Sequence, residues 1–230
     1  MYKPVILQRP ESEYYQYISG KRVIFVGPGS ILKGRGLGSF IDSFDVVIRT
    51  NNFPMLMKED PSLAVDYGEK CSVLYMNYHY ARNNRPLPIE LFKSVNIKWL
   101  CSKKMRPVDM RIAGKIFHVR VIDNISNYIY KLIGDALMGS VILHDVVSHC
   151  PGEFFITGID FFLSRNDNYG SYANPDYISD KAKKENIQRD IGQGKGHDIR
   201  ANARYMLSMY DQGYFSTHDF VLDKIKAVAA

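Results

Sequence analysis

Histidine is the side chain best suited to accept a proton near neutral pH, because an unperturbed imidazole titrates just below pH 7. His197 follows a glycine-containing loop and directly precedes Asp198, a residue type that favours helix N-caps. A helix N-terminus lowers the pKa of an imidazole and so keeps it in the neutral form that a general base requires. The same residues also fit a purely structural helix start, and at this point both interpretations stand. The six histidines of the chain are His79, His118, His144, His149, His197 and His218.

A glycine-rich turn, VGPGSILKGRG, follows a short apolar run and could hold a phosphate through its backbone N–H groups. The dinucleotide pattern GxGxxG fails, because Leu32 stands where the third glycine would pack the helix on the strand. The P-loop pattern also fails, because Arg35 and Gly36 replace its Lys and its Ser or Thr. Spacing alone therefore leaves a plain tight turn and a nucleotide contact as equal alternatives.

Acidic pairs and cysteines give no sign of a metal site. No two aspartates stand two residues apart, so the Asp-x-Asp pair that holds a metal in many nucleotide-sugar enzymes is missing. The three cysteines are an odd number with no CxxC spacing, which argues against zinc and against a disulfide framework, and favours a reducing compartment. We expect no metal and no cofactor. The nearest acidic clusters, predicted to be helix-surface or turn residues, are Asp42/Asp45 and Asp176/Asp180.

The elements that would position these residues alternate between strands and helices. Such alternation predicts an α/β fold, a single Rossmann-like domain with a mostly parallel sheet flanked by helices. Ligands of such sheets bind at the carboxyl ends of strands. We predict helical structure at about 127–150 with a break at Gly139, and a further helix over 197–213. Residues 1–20 are expected to be a loosely held lead-in, followed by one domain over 21–230 with a lid-like loop at about 163–196. The predicted strands are 21–27, 45–51, 71–77, 96–102, 115–123 and 153–160, four of which end at Gly27, Asn51, Asn77 and Asp160.

Composition sets the class of protein. The chain has 230 residues, 46% hydrophobic and 23% charged, which is ordinary for a globular protein. No stretch approaches the roughly 18 apolar residues of a membrane span, and the first residues lack the apolar region of a signal peptide. The net charge of +6 suits an anionic ligand such as a nucleotide sugar and would also suit weak contact with nucleic acid. The sequence contains no basic run of five or more residues, and we expect no nucleic-acid partner. We expect a soluble protein of the cytoplasm or of a host cytosol.

Three stretches carry a family resemblance. The segment 21–51, KRVIFVGPGSILKGRGLGSFIDSFDVVIRTN, closely resembles the large motif of the glycosyltransferase family 29 sialyltransferases. The segment 136–162 is similar to the small motif of that family, and 196–207 is similar to the late motif that carries its catalytic histidine. The stretch 158–173 also resembles bacterial family 42 sialyltransferases. The resemblance implies the sialyltransferase-type variant of the GT-A fold.

The resemblance implies an inverting transfer of sialic acid from CMP-sialic acid to a sugar hydroxyl of a glycan acceptor, without a metal. His197 is the expected general base. Tyr172 and Tyr169 are the expected hydroxyl donors to the departing phosphate. Ser140 could instead only cap a helix, and Arg49 could instead form a structural ion pair with Asp42 or Asp45. The expected donor-binding residues are Gly27, Gly29, Ser30, Asn51, Asn77, Gly139, Ser140 and Gly158.

Three positions depart from the family pattern. Pro28 replaces an asparagine that contacts the donor, which keeps open another CMP-linked acidic sugar as substrate. Arg22 replaces the cysteine that pairs with the one at Cys150, so the family disulfide is not expected here. Phe162 stands at the first of two family 42 tyrosines. A relative that binds nucleotides without catalysis is the remaining alternative.

Overall fold

The computed structural model describes residues 12–51, 53–76, 87–161 and 198–230, and these residues form a seven-stranded sheet. The strand order is β5-β4-β3-β2-β1-β6-β7, and every pair of neighbours is parallel. The predicted α/β fold with a mostly parallel sheet flanked by helices is confirmed. The strands are β1 (Arg22–Val26), β2 (Val46–Thr50), β3 (Val73–Met76), β4 (Trp99–Ser102), β5 (His118–Val121), β6 (Glu153–Thr157) and β7 (Ser216–Thr217).

Helices cover both faces of the sheet. Within the described ranges, none of them is long and apolar enough to cross a membrane. Short 3₁₀ turns occupy Ser30–Leu32 and Pro61–Leu63. The helices are α1 (Glu13–Ile18), α2 (Gly38–Asp42), α3 (Phe53–Glu59), α4 (Ala64–Tyr67), α5 (Ile89–Ser94), α6 (Pro107–Ala113), α7 (Asp123–Ile133), α8 (Met138–Val147), α9 (Ile199–Asp211) and α10 (Asp219–Ala229).

Two hydrophobic cores lie on the two faces of the sheet. Successive residues of a strand point to opposite faces, so Val23 and Phe25 of β1 pack with α1 and α7–α10, whereas Ile24 and Val26 pack with α2–α6. Burial on both faces explains why β1 and its neighbours are continuous apolar runs rather than alternating ones. It also explains why these strands were predictable from the sequence.

Four features differ from the sequence-based expectation. Residues 13–18 are not a loose lead-in but helix α1, which buries Tyr14 and Ile18 in the core. The predicted helix break at Gly139 is wrong: α7 ends at Ile133, Gly134 takes a left-handed φ of 78°, and Gly139 lies in the first turn of α8. Glycine favours this position after a helix because it has no Cβ to clash there. Strand β7 and helix α10 were not predicted. Strand β7 has only two residues, which give no periodicity.

The cysteines lie in three separate surroundings. Cys71 and Cys101 are buried, and burial raises the pKa of each thiol to about 12. Cys150 is exposed, and all three are free. Arg22, which stands where the resemblance places a cysteine partner for Cys150, instead pairs with Glu153 at 2.8 Å.

Candidate functional site

The order of the strands marks one crevice at the carboxyl edge of the sheet. The chain runs outward from β1 to β5 and then returns to the other side of β1 to form β6. The connections that leave β1 and β6 therefore lead to strands on opposite sides of the β1–β6 pair. Such switch points are where open parallel sheets bind ligands. The turn after β1 is Gly27–Gly29, and the segment after β6 is Gly158–Asp160.

The backbones of these two segments touch. The N–H of Gly27 donates to the carbonyl of Thr157 at 2.8 Å, and the N–H of Gly29 donates to that of Gly158 at 2.7 Å. A Cβ on Gly27 would lie 2.5 Å from the Gly158 carbonyl oxygen, and one on Gly158 would lie 2.5 Å from that of Gly27. Gly158 also has a φ of 69°, which other residues adopt only with strain. Close packing therefore requires these glycines, whatever contact they make with a donor.

Two further predicted donor residues lie at the same edge. Ser30 begins the 3₁₀ turn that follows Gly29 and is half-buried. Asn51 directly follows β2, the neighbour of β1, and its N–H donates to the carbonyl of Tyr75 at 2.8 Å. Its φ is 49°, in the left-handed region that asparagine tolerates better than most residues. The structure thus brings both residues to the edge that holds the crevice, and their donor contacts stay predictions.

The first turn of α8 packs beside the crevice. A Cβ on Gly139 would lie 3.1 Å from Met206 Cε, 3.5 Å from Phe25 Cε1 and 3.6 Å from Ile159 Cδ1. Ile159 directly follows Gly158, so Gly139 is close to the glycines of the crevice. Ser140 is fully buried, and its hydroxyl donates to Asn202 Oδ1 at 2.6 Å. This bond gives Ser140 a structural role, but not the predicted one of capping a helix, because the N-cap of α8 is Leu137 and Ser140 lies inside the helix.

Asn202 joins the starts of α8 and α9. Its Oδ1 also accepts from the N–H of Leu137 at 2.9 Å, and its Nδ2 donates to the carbonyls of Asp198 (2.7 Å) and Asp135 (3.3 Å). Both polar atoms of this fully buried side-chain amide are therefore satisfied, and the amide links residues 135–140 to the start of α9. Sequence reasoning missed Asn202. The available signal was a polar residue on the buried face of an otherwise amphipathic helix.

The cap predicted at the start of α9 is confirmed. Asp198 is the N-cap, and its carboxylate accepts from the N–H of Ala201 at 2.8 Å. His197, the predicted base, lies just outside the described residues. The same holds for Asn77, Phe162, Tyr169 and Tyr172 and for the predicted lid-like loop at about 163–196.

The second half of the glycine-rich turn holds an internal carboxylate. The N–H of Gly34 donates to Asp66 Oδ2 at 2.6 Å, and the N–H of Gly36 donates to Asp66 Oδ1 at 2.7 Å. Desolvation acts to raise the pKa of Asp66, but these backbone donors outweigh it and lower the pKa below its usual value. The N–H groups of Gly34 and Gly36 thus bind the carboxylate of Asp66 in α4 rather than a phosphate. We therefore expect any nucleotide contact at Gly27–Ser30.

A buried carboxylate, Asp160, lies at the crevice and was not among the predicted site residues. Asp160 is 5% exposed, and a Cβ on Gly29 would lie 2.9 Å from its Cγ. Burial, Asp66 and Asp160 together raise the pKa of Tyr67, whose hydroxyl donates to the carbonyl of Gly29 at 3.2 Å. The sequence predicted a strand end at Asp160, whereas β6 ends at Thr157. Only the fold shows how close Asp160 lies to Gly29.

Three charged residues of the large motif, Asp42, Asp45 and Arg49, bond to the backbone of the protein. Arg49 is 1% exposed and donates to the backbone carbonyls of Tyr67, Gly68 and Lys70. Asp42 accepts from the N–H groups of Glu69 and Lys70, each at 2.9 Å, and Asp45 accepts from that of Arg22 at 2.9 Å. The structural interpretation of Asp42 and Asp45 is therefore confirmed.

No group of three or more His, Cys, Asp or Glu side chains in the described ranges is placed to hold a metal ion. The expectation of a metal-free reaction remains a prediction.

Part of the sequence matches a known family. Residues 8–107 match the model of "Glycosyltransferase family 29 (sialyltransferase)", which confirms the resemblance over the large motif. The chain is 46% identical over 124 residues to the human "Type 2 lactosamine alpha-2,3-sialyltransferase", covering 47% of this chain and 37% of that protein. It is 31% identical over 118 residues to the mouse protein of the same name, covering 45% and 35%. The match to the mouse "Lactosylceramide alpha-2,3-sialyltransferase" is 34% over 99 residues, covering 40% and 23%. The chain thus spans well under half the length of these relatives.

Solved structures of sialyltransferases are also similar. "Crystal Structure of a Mammalian Sialyltransferase in complex with Gal-beta-1-3GalNAc-ortho-nitrophenol" superposes with a TM-score of 0.46 at 18% identity, covering 78% of this chain and 68% of that one. The apo alpha-2,3-sialyltransferase from Campylobacter jejuni superposes with a TM-score of 0.39 at 16% identity, covering 71% and 66%.

Proposed function

Since residues 8–107 match the family 29 sialyltransferases, we propose that this protein is a glycosyltransferase that moves sialic acid from CMP-sialic acid to a hydroxyl group of a glycan acceptor. The observation that carries the proposal is the position of the matched turn. Gly27–Gly29 lies at the switch point of the sheet, in contact with Gly158 and beside the strand that ends at Asn51. The matched residues therefore lie where a nucleotide sugar would be expected to bind.

The nucleotide would bind along the carboxyl edge from β2 to β6. Asn51 offers an amide side chain to the ribose or the base. The N-terminus of α8, which Gly139 places beside Ile159, carries a partial positive charge that favours the single phosphate of CMP. A nucleoside monophosphate is a good leaving group with one phosphate, so the reaction requires no metal to bridge two phosphates.

The transfer is a single inverting displacement. A base removes the proton of the acceptor hydroxyl while its oxygen bonds to the anomeric carbon, and the bond from that carbon to the CMP phosphate oxygen breaks. His197 is the proposed base, because an imidazole has a pKa near working pH. Tyr169 and Tyr172 would donate hydrogen bonds to the phosphate as its negative charge grows.

A pair of asparagines tests the donor site. Asn51 and Asn96 both have a left-handed backbone, with φ of 49° and 56°, but Asn96 precedes β4 at the opposite edge of the sheet. Glycine accepts this φ, so Asn51→Gly and Asn96→Gly each remove an amide without adding strain. CMP at 100 times its Kd should stabilise the wild type by about 2.7 kcal/mol in thermal unfolding. We expect Asn51→Gly to lose most of that stabilisation and Asn96→Gly to keep it.

Controls separate the proposal from its alternatives. UDP and an oligonucleotide should stabilise the chain less than CMP does, and turnover of CMP-sialic acid should survive EDTA. Equal stabilisation by UDP, or turnover that EDTA abolishes and manganese restores, would contradict the proposed donor and the metal-free chemistry. CMP binding with no turnover of any donor would identify a nucleotide-binding relative without activity.

One residue keeps a second donor open. Pro28 lacks the side-chain amide that the family pattern places beside Gly27, and its half-buried ring cannot donate a hydrogen bond. This residue keeps another CMP-linked acidic sugar as the alternative donor. Parallel turnover assays with CMP-sialic acid and CMP-ketodeoxyoctonate decide between the two donors.

A further inference from the structure

A cavity of about 580 Å³ lies near the end of the sheet formed by β4 and β5, between these strands and helices α1 and α7. Its volume is typical of pockets that bind small ligands. Strand β5 is separated from β1 by β2, β3 and β4, which corresponds to about 19 Å at the usual spacing between strands. The cavity is therefore distinct from the crevice proposed to bind the CMP-sugar donor.

Six aromatic side chains line part of its wall. His118 stacks on Trp99 with ring centroids 4.6 Å apart and an angle of 23° between planes. Tyr14 meets Trp99 edge-on at 4.9 Å, and Tyr128 tilts over His144 at 5.0 Å. These contacts hold the rings in place before any ligand arrives, so little ordering entropy is lost on binding.

The charges of the cavity are already paired within the protein. The Arg120 guanidinium donates to both carboxylate oxygens of Asp145, which is fully buried. Asp145 also accepts from the hydroxyl of Tyr75 at 2.6 Å. At the mouth, Glu13 lies 3.0 Å from His118 Nδ1. No cation of this wall is left over to balance the charge of an anionic ligand.

The two buried imidazoles of the wall are uncharged at neutral pH. Burial lowers the pKa of His144 to about 4, although the nearby Asp145 acts in the opposite direction. Burial also lowers the pKa of His149, whose Nδ1 lies 2.6 Å from the carbonyl oxygen of Asp145. Neutral imidazoles both donate and accept hydrogen bonds, which suits hydroxyl groups better than phosphates or carboxylates.

We propose that this cavity binds the neutral pyranose ring of a saccharide, at a site separate from the transfer reaction. A pyranose has an apolar C–H face, which the exposed rings of His118 and Tyr128 would cover, and an edge of hydroxyl groups. Ser12, Glu13 and Asn124 line the same cavity and provide the donors and acceptors that such an edge requires. A second saccharide site would strengthen the hold on a glycan by raising its effective concentration.

The fluorescence of Trp99 reports directly on this cavity, because Trp99 is the single tryptophan of the chain. The experiment titrates the full chain with methyl β-galactopyranoside and methyl β-glucopyranoside, and in parallel with inorganic phosphate. Saturation-transfer NMR identifies the ring protons that contact the protein. We expect a saturable fluorescence change and transfer to one face of at least one glycoside, with no response to phosphate.

Two tyrosines of α7 provide a matched pair of variants. Tyr128 lines the cavity, whereas Tyr130 is 60% exposed and lies outside its wall. Tyr128→Ala should weaken glycoside binding roughly tenfold, and Tyr130→Ala should leave it within about twofold of the wild type. Urea unfolding of both variants shows that each is folded.

Several results would overturn the proposal. They are the absence of saturable binding for both glycosides, an equal loss of binding in the two alanine variants, and competition by phosphate for the site. CMP-induced thermal stabilisation is measured on the same samples, so failure at this cavity is distinguishable from failure of the proposed donor site.

Discussion

Two regions of the sheet, around β1 and β6 and around β4 and β5, bring residues together in opposite ways. At β1 and β6, backbone approaches backbone so closely that Gly27 and Gly158 have no room for a Cβ. At β4 and β5, large side chains from separate elements meet, and they leave a cavity between them. Glycine spacing is visible in a sequence, so the first region resembled a known motif. The second region has no local pattern, because its rings come from positions far apart in the chain.

The same kind of ion pair also behaves differently in the two regions. Arg22 and Glu153, at the start of β1 and β6, are each almost half exposed. Water screens such a pair, so it contributes little to stability. Arg120 and Asp145 are largely buried beside β5, where loss of either partner leaves a charge without compensation. Burial, rather than geometry, decides the difference.

Histidine substitutions give the largest expected contrast between the regions. His197→Ala should lower turnover by about 10²–10⁴-fold, because it removes the proposed base, while CMP affinity changes little. His118→Ala, at the cavity, should keep turnover within about twofold of the wild type. Steady-state kinetics across pH 5–9 checks both, and the acidic fall in rate should disappear from the His197 variant. A His197 variant with normal turnover would remove the residue from the mechanism.

Neutralising one acid in each ion pair gives the next largest effect. Asp145→Asn should lower the free energy of unfolding by about 3–5 kcal/mol, because Arg120 stays buried and charged without its partner. Glu153→Gln should change it by less than about 1 kcal/mol. Urea unfolding followed by circular dichroism measures both values. Equal losses would show that burial does not distinguish the two pairs.

Two glycines with similar backbone angles test the close approach at the crevice. Gly158→Ala adds a Cβ that meets the Gly27 carbonyl at a φ of 69°, and should cost about 2–4 kcal/mol of unfolding free energy. Gly213→Ala adds a Cβ in open space at a φ of 75°, and should cost only the roughly 1–2 kcal/mol of backbone strain. The difference isolates the contact between the two turns, and a difference of zero would exclude it.

Acid should lower the free energy of unfolding through His144, which lines the cavity. The pKa of His144 in the folded chain is about 4, below the ordinary value of 6.5, because burial disfavours the charged ring. The unfolded chain therefore binds the proton first, and stability present above pH 6.5 is lost as the pH falls toward 4. His144 should account for about 2–3 kcal/mol of unfolding free energy lost between pH 7.5 and pH 4.5.

The variant His144→Gln tests this origin. Glutamine can still bond to Tyr205, which lies 2.9 Å from His144 Nδ1, but it does not titrate. The variant should lose less stability than the wild type over the same pH range in urea unfolding. Identical pH profiles would assign the acid sensitivity to other groups.

Local patterns predicted the parts of the molecule that depend on neighbours in sequence. The strand from 21 to 27, the turn after it and the strand from 45 to 51 were predicted within about one residue, because an apolar run buried on both faces ends at a turn residue. Helix α9 and its cap Asp198 followed from amphipathic spacing and a capping side chain. Gly134 was not recognised as the residue that ends α7, because Gly139, five residues later, is also a glycine and was predicted as the break.

The sequence by itself determined the α/β class, the positions of β1 and β2 and the family resemblance, since apolar period, glycine position and motif order are properties of short segments. Only the tertiary structure decided which strand ends meet, because the order that places β6 beside β1 depends on packing across the whole sheet. It also decided that Asn202 joins α8 to α9 and that Asp145 pairs with Arg120, contacts between residues 62–65 and 25 positions apart. A buried amide or carboxylate finds its partner by position in space, and a one-dimensional pattern does not contain that position.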